Sequence, residues 1–138
     1  MKKQITHVHE FHEAFGITNR YQPNGIIDDK TYVLRHNLMQ EENEEYLEAA
    51  KRGDLVEVAD ALGDMLYILC GTILSHGLQD VIEEVFEEIQ RSNMSKLDEN
   101  GKPIYREDGK VLKSELYFRP DIKSILEKRA QTLKDFNR

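Results

Sequence analysis

The side chains with the most chemical potential in this sequence are acids, and their spacing sets them apart. The run Leu38-Met39-Gln40-Glu41-Glu42-Asn43-Glu44-Glu45 lies inside an apolar-periodic stretch. At ~100° per residue, Leu34, Leu38, Glu41 and Glu45 share one side of a helix, with Glu42 at its margin. A stripe that begins as leucine therefore continues as glutamate, whereas a surface helix keeps its acids opposite its leucines. The next stretch repeats the anomaly. Glu57, Asp60 and Asp64 fall at i, i+3 and i+7, while Val58, Leu62, Met65, Leu66 and Leu69 take the other side. Carboxylates on inward faces are costly unless a cation or hydrogen-bond donors meet them. Two such faces can converge on one point. Oxygen donors without cysteine or histidine favour a hard cation, Mg²⁺ or Mn²⁺, over zinc or copper. Mg²⁺ keeps several waters and commonly binds phosphates beside protein carboxylates, which points to a polyphosphate substrate.

Other readings compete with this one. A glutamate run is most often a solvated face, and Glu44 and Glu48 are expected to face solvent. Glu57 also fits a capping box. A carboxylate-bridged di-iron bundle needs Glu three residues before His, but those positions hold Gln4, Thr6, His9, Val33 and Ile73. A non-catalytic acidic metal-binding or interaction protein accounts for the charge, but not for acids on faces expected to be core. His9 and His12 have a metal-like spacing, although solvent exposure is the expectation for both. Phe11, Phe15 and Tyr67 could stack on a base, with a core role the expectation.

Five helices position these residues. Val8, Phe11 and Phe15 mark a short helix from Thr6 to Phe15, stopped by Gly16. Residues 17–27, with Pro23, Asn24 and Gly25, form a loop. Asp28-Asp29 offers an N-cap for a helix to Arg52, with Gly53 at the C-terminal cap. Asp54 and Glu57 open a third helix ending near Gly77, and it is apolar enough around its circumference to be buried. Asp80 and Glu83 repeat the capping pattern for a fourth helix, with Val81, Val85, Phe86 and Ile89 facing inward. Asp108-Gly109 between Ile104-Tyr105 and Val111-Leu112 predicts a small hairpin. Pro120 precedes a last helix from Asp121 to about Phe136. The expected fold is an all-α bundle of four to five helices in one domain, residues 1–138, with a hairpin excursion before the last helix.

Composition narrows the partners. The 138 residues carry 19 Lys plus Arg against 26 Asp plus Glu, a formal charge of −7. That balance disfavours nucleic-acid polymers and anionic membranes, which need a positive surface. The apolar run Met65–Leu74 falls short of the ~20 residues that span a bilayer. The single cysteine, Cys70, excludes an intrachain disulfide and a cysteine zinc site. With no apolar leader at the N-terminus, a cytoplasmic location is expected.

The full motif set resembles a known family. Glu42-Asn43-Glu44-Glu45 followed by Glu57-Val58-Ala59-Asp60 is similar to the E-x-x-E … E-x-x-D arrangement of the all-α nucleoside triphosphate pyrophosphohydrolases. The MazG-like, phosphoribosyl-ATP pyrophosphohydrolase-like group looks nearest. It resembles this chain in His9-Glu10-Phe11-His12-Glu13-Ala14-Phe15-Gly16, in Asp60-Ala61-Leu62-Gly63-Asp64-Met65-Leu66-Tyr67 and in Arg91-Ser92-Asn93-Met94-Ser95-Lys96. Asp108-Gly109-Lys110-Val111-Leu112-Lys113 and Tyr117-Phe118-Arg119-Pro120-Asp121 also look like that group. The resemblance runs over residues 8–122.

It implies hydrolysis of a nucleotide between its α- and β-phosphates, giving a nucleoside monophosphate and pyrophosphate. Glu42, Glu45, Glu57 and Asp60 would hold Mg²⁺, with Mn²⁺ as a substitute, and Asp64 would support them from behind. Glu41 corresponds to the residue that orients or deprotonates the attacking water. Positive groups must offset an acidic pocket, and Arg91, Asn93, Lys96 and Lys113 are the expected phosphate ligands. A homodimer or homotetramer is expected. The excursion from Leu97 to Arg119 departs from the compact biosynthetic enzyme, which favours a nucleoside triphosphate over phosphoribosyl-ATP.

Overall fold

The computed structural model describes residues 1–137, which hold five α-helices and one two-stranded ribbon. They pack as two compact units, Met1–Asp80 and the chain from Val81 onward.

The first unit holds α1 (Lys2–Phe15), α2 (Asp29–Arg52) and α3 (Leu55–Ser75). α1 begins earlier than the apolar spacing predicts, because Ile5 extends the buried face Ile5, Val8, His12 by a turn. Asp28 caps α2, its carboxylate accepting from Thr31 N at 3.0 Å and Thr31 Oγ1 at 2.7 Å. Asp54 caps α3, accepting from Glu57 N at 3.1 Å. Only Gly53 and Asp54 separate α2 from α3, so the two helices form a tight hairpin, and α1 packs on α3. The core lies at the C-terminal half of α3, where Cys70, Ile73 and Leu74 are buried. Burying an aliphatic side chain of this size contributes ~1.5–3 kcal/mol.

A helix end leaves its last carbonyls without intrahelical partners. The loop after α1 supplies them. Arg20 N donates to Leu74 O at 2.9 Å and Arg20 Nη1 to Ser75 O at 2.8 Å. Asn24 N donates to His76 O at 2.9 Å, and His76 Nδ1 to Asn24 O at 2.8 Å. The chain then turns at Gly77, φ +68°, where a Cβ would collide with the Gln22 backbone.

α3 is less enclosed than its composition predicts. Leu62, Leu66 and Leu69 are exposed, as are Leu34 and Leu47 of α2. By length and composition alone α3 is also long and apolar enough to cross a membrane, which the run Met65–Leu74 by itself did not suggest. It carries three acids, Glu57, Asp60 and Asp64, and packs on α1 and α2. Phe11, Phe15 and Tyr67 are not core residues. Phe15 is 70% exposed, and the three rings form a ladder with Phe11 4.3 Å from Phe15 and 5.6 Å from Tyr67.

The second unit holds α4 (Ile82–Met94), β1 (Ile104–Tyr105), β2 (Val111–Leu112) and α5 (Ile122–Phe136). The ribbon has the expected register, Ile104 opposite Leu112 and Tyr105 opposite Val111. Asp121 caps α5, accepting from Ser124 N at 3.1 Å. The capping box expected from Asp80 and Glu83 does not form. Val81 takes the N-cap position without a side-chain cap and is 3% exposed, so packing an aliphatic group outweighs a cap worth about 1 kcal/mol. Phe86, expected inward, is 62% exposed and Ile89 is on the flank. The inward face runs through Val81, Val85, Glu88 and Ser92 instead. Ser92 Oγ donates to Phe118 O at 2.8 Å and Glu88 accepts from Asp121 N at 3.1 Å, so hydrogen bonds hold the face that apolar packing was expected to hold.

Candidate active site

The two acid runs fall on consecutive helices of the first unit, α2 and α3, and the tight turn between them brings their adjacent ends together. Among the carboxylates Glu42 is the most sheltered. It is half-buried, and its Oε2 is shielded from solvent with no hydrogen-bond partner among the described residues. Burial raises its pKa first, followed by the neighbouring Glu45 carboxyl and the charges of Asp64 and Asp60. Together they push it up to about 7. Glu42, Glu45, Asp60 and Asp64 thus form one electrostatic group, and Asp64 is a direct neighbour of Glu42's charge. The helical wheel had put Glu42 only at the margin of the acidic stripe.

Glu41, Glu45 and Glu57 line an open cleft of about 510 Å³ on the neighbouring side, together with Glu44, Glu48 and Arg52. Glu45 is common to both groups. Glu44 and Glu48 are exposed, as expected, and Lys51 pairs with Glu48 at 3.3 Å. Arg52 was not foreseen. Among the described residues it is the one cation of the cleft lining, it sits 3.9 Å from Asp54, and its place in the last turn of α2 before Gly53 is the signal that marks it.

Whether these residues fit a divalent cation can be judged from the donors. The cleft and the Glu42 group offer carboxylate oxygens and neither histidine nor cysteine, the donor chemistry of Mg²⁺ or Mn²⁺. A shielded carboxylate oxygen without a partner is an open ligand position. Among the described residues no three Asp, Glu, His or Cys side chains yet surround a common point suited to an ion.

Arg91, Asn93, Lys96 and Lys113 belong to the second unit. Each has local partners. Arg91 pairs with Glu88 at 3.1 Å and lies over the Phe118 ring at 5.6 Å. Lys113 Nζ sits 4.6 Å from the Tyr117 ring centre. Lys96 is half-buried and its carbonyl accepts from Ser114 N at 3.2 Å, while Asn93 is exposed and its carbonyl accepts from Lys96 N.

Two residues of the first unit escaped the sequence reading. His12, expected at the surface, is 2% exposed, and Arg35 on α2 is 9% exposed. Arg35 Nε donates to Thr72 Oγ1 at 3.1 Å and Nη2 to Ile68 O at 2.9 Å, and no carboxylate pairs with it among the described residues. A buried ion without a counter-ion costs several kcal/mol, so such a site is not a packing solution. The available signal was position. Arg35, Leu38 and Glu42 share a helix face at i, i+3 and i+7, and Gly71 and Thr72 of α3 are small enough to admit a guanidinium.

The chain belongs to the MazG-like nucleoside triphosphate pyrophosphohydrolase superfamily, with whose all-α bundle its fold agrees. Within it, the chain is a member of the phosphoribosyl-ATP pyrophosphohydrolase family, whose profile matches residues 8–93. The family consists of pyrophosphohydrolases, which split the phosphoric anhydride of a nucleotide. The matched segment includes both acid runs, Arg91 and Asn93, and ends before Lys96, the hairpin and Lys113. No curated protein matches the chain.

Proposed function

We propose that this protein hydrolyses a nucleoside triphosphate between the α- and β-phosphates in a Mg²⁺-dependent reaction. The observation that carries the reading is Glu42 Oε2, a sheltered oxygen without a hydrogen-bond partner among the described residues, set among the charges of Glu45, Asp60 and Asp64. Glu42, Glu45, Glu57 and Asp60 would hold the cation, with Mn²⁺ as a substitute, and Asp64 would steady Glu42. When bound, the ion clamps phosphate oxygens, offsets their developing charge and acidifies a water. Glu41, exposed in the same cleft as Glu45 and Glu57, is the proposed acceptor of the proton from the attacking water. The water oxygen bonds to phosphorus, the bridging P–O bond breaks, and pyrophosphate leaves with the electron pair. On the motif match, Arg91, Asn93, Lys96 and Lys113 are the proposed phosphate ligands, and the working form is a homodimer or homotetramer.

A second substrate has a specific observation behind it, since the matching family is described by phosphoribosyl-ATP. A panel of nucleoside triphosphates and phosphoribosyl-ATP, each with Mg²⁺, tests both by following pyrophosphate against orthophosphate. Pyrophosphate from a triphosphate is the expected result, and its release from phosphoribosyl-ATP alone moves the assignment to that substrate. Orthophosphate alone places cleavage at another bond and overturns the α–β assignment, and no release across the panel overturns the proposal in favour of a non-catalytic acidic binding protein.

A further inference from the structure

α1 packs on α3 through a short buried face, Ile5, Val8 and His12, and also walls a cavity of about 300 Å³ shared with α2 and α3. His12 is the one ionisable group of that face and is 2% exposed. Nothing in the proposed reaction uses it. We propose that His12 is an acid-sensitive latch, whose protonation frees α1 from the α2–α3 hairpin and opens the cavity.

Neighbouring groups fix the protons of the neutral ring. Asn19 Nδ2 donates to Glu13 Oε1 at 3.1 Å, which leaves the Asn19 carbonyl facing His12. His12 Nδ1 therefore donates to Asn19 Oδ1 at 2.7 Å, and the lone pair stays on Nε2. Among the described residues no hydrogen bond reaches Nε2. What lies beside it is a cation. A Cβ built on Gly71 would be 3.0 Å from His12 Nε2 and would collide with Arg35 Nη2, so the two nitrogens are close neighbours across that glycine. The guanidinium is held there by Thr72 Oγ1 at 3.1 Å and Ile68 O at 2.9 Å, with no carboxylate against it among the described residues. Thr31 and Ser75 also line the cavity, but their hydroxyls donate to Asp28 and to Gly71 O, and neither bonds His12.

A proton on Nε2 therefore places a second positive charge beside an uncompensated first one, inside the core. Burial and a like charge this close both disfavour the charged form. The charged groups that face His12 are Arg35 of α2 and His9 and Glu13 of α1 itself, and of these only Glu13 favours the proton. From α3 the phenol of Tyr67 lines the same cavity. Burial is the largest cause holding the His12 pKa below the ordinary imidazole value, with the Asn19 hydrogen bond opposing it and Arg35 adding to it. Docked α1 thus takes up the proton less readily than free α1. Docking is at full strength above about pH 6.5, the ordinary histidine value, and weakens as pH falls from there to the lower folded value, where the loss levels off. The loop after α1 keeps its hold on α3 in acid. Arg20 donates to carbonyls of Leu74 and Ser75, and His76 Nδ1 donates to Asn24 O in either protonation state. The part released is α1, hinged at Gly16, whose φ is +70°.

Amide hydrogen exchange of the whole protein between pH 8 and pH 5, with the histidines titrated by NMR in parallel, is the test. His12 is expected to titrate below the ordinary histidine value. Protection factors of the Val8 to His12 amides are expected to fall with pH, by up to about tenfold for each unit of pKa depression, while those of Ile73 and Leu74 change little. His12→Gln keeps an amide N–H for Asn19 and carries no charge, so α1 of that variant is expected to lose the pH dependence. Arg35→Gln is expected to move the His12 midpoint up toward the ordinary value. A midpoint at or above that value overturns the latch, as does α1 protection that does not change with pH. Equal losses from α1 and α3 also overturn it, because the whole unit is then opening. So does a pH-dependent loss that persists in folded His12→Gln, checked by circular dichroism. If neither variant folds, the wild-type midpoint and protection factors decide.

Discussion

Glu42 is asked to be neutral and charged at different times. In an unfolded chain its carboxyl ionises in the ordinary carboxylate range, whereas in the fold it ionises at about 7. Below both values the group is protonated in either state and costs nothing. As pH rises between them, only the unfolded chain gains the charge, so the folded state loses stability until pH passes about 7. Glu42→Gln is therefore expected to stabilise the metal-free protein by about 1 kcal/mol at pH 8, after allowance for solvent screening, and by little at pH 4. Urea denaturation at the two pH values measures this. The same variant is expected to abolish Mg²⁺-dependent pyrophosphate release. A cation prefers the ionised carboxylate, so divalent-cation affinity of the wild type is expected to rise through pH 7, and calorimetry with Mn²⁺ would show it. Glu41→Gln separates the proton acceptor from the ligands. Turnover is expected to fall about 100-fold or more with metal affinity nearly unchanged. An unchanged rate would remove Glu41 from that role.

At the scale of elements, the site depends on how α2 and α3 are begun and ended. Asp28 and Asp54 hold the N-termini through their carboxylates, and Asp28→Ala is expected to cost about 1 kcal/mol in thermal or urea unfolding. The end of α3 has no comparable side-chain cap and relies on the loop from Arg20 to Asn24, which is fitted against Gly77. Gly77→Ala would add a left-handed non-glycine residue and a contact with the Gln22 backbone. It is expected to cost at least about 2 kcal/mol and to detach the loop from α3. A stability equal to wild type would mean that the loop carries no load. These local signals explain how much of the fold was legible in advance. Caps at Asp28, Asp54 and Asp121 and the Asp108-Gly109 turn depend on neighbours within a few residues. The fourth helix was misread because its start and inward face answer to more distant partners, Phe118 and Asp121.

At the scale of the molecule, the charge of −7 and the exposed leucines belong together. Leu34 and Leu47 of α2 and Leu62, Leu66 and Leu69 of α3 leave apolar surface on the helices that carry the acids. Their further burial would contribute on the order of 5 kcal/mol toward association, before its entropic cost. Sedimentation velocity at micromolar concentration is expected to show a dimer or tetramer, and a strictly monomeric species would contradict the oligomeric proposal. The acids divide in the same way. Glu44 and Glu48 are solvated, while Glu42 and its neighbours hold charge that a bound cation would neutralise, so an acidic protein can still take an anionic substrate.

By itself the sequence determined the helices, the hairpin, the two acid runs on consecutive helices and the family they resemble, because periodicity, caps and turn dipeptides act over short distances. Tertiary structure alone decided which acid is sheltered and which cation is buried. Glu42 is sheltered in the fold and feels the charges of Asp60 and Asp64 of the next helix, whereas the wheel of α2 by itself placed it at a margin. Burial of His12 and Arg35 needs α1, α2 and α3 around Gly71, residues far apart in the chain. A charge in a sequence says nothing of its surroundings, and surroundings determine whether that charge is solvated surface or a site.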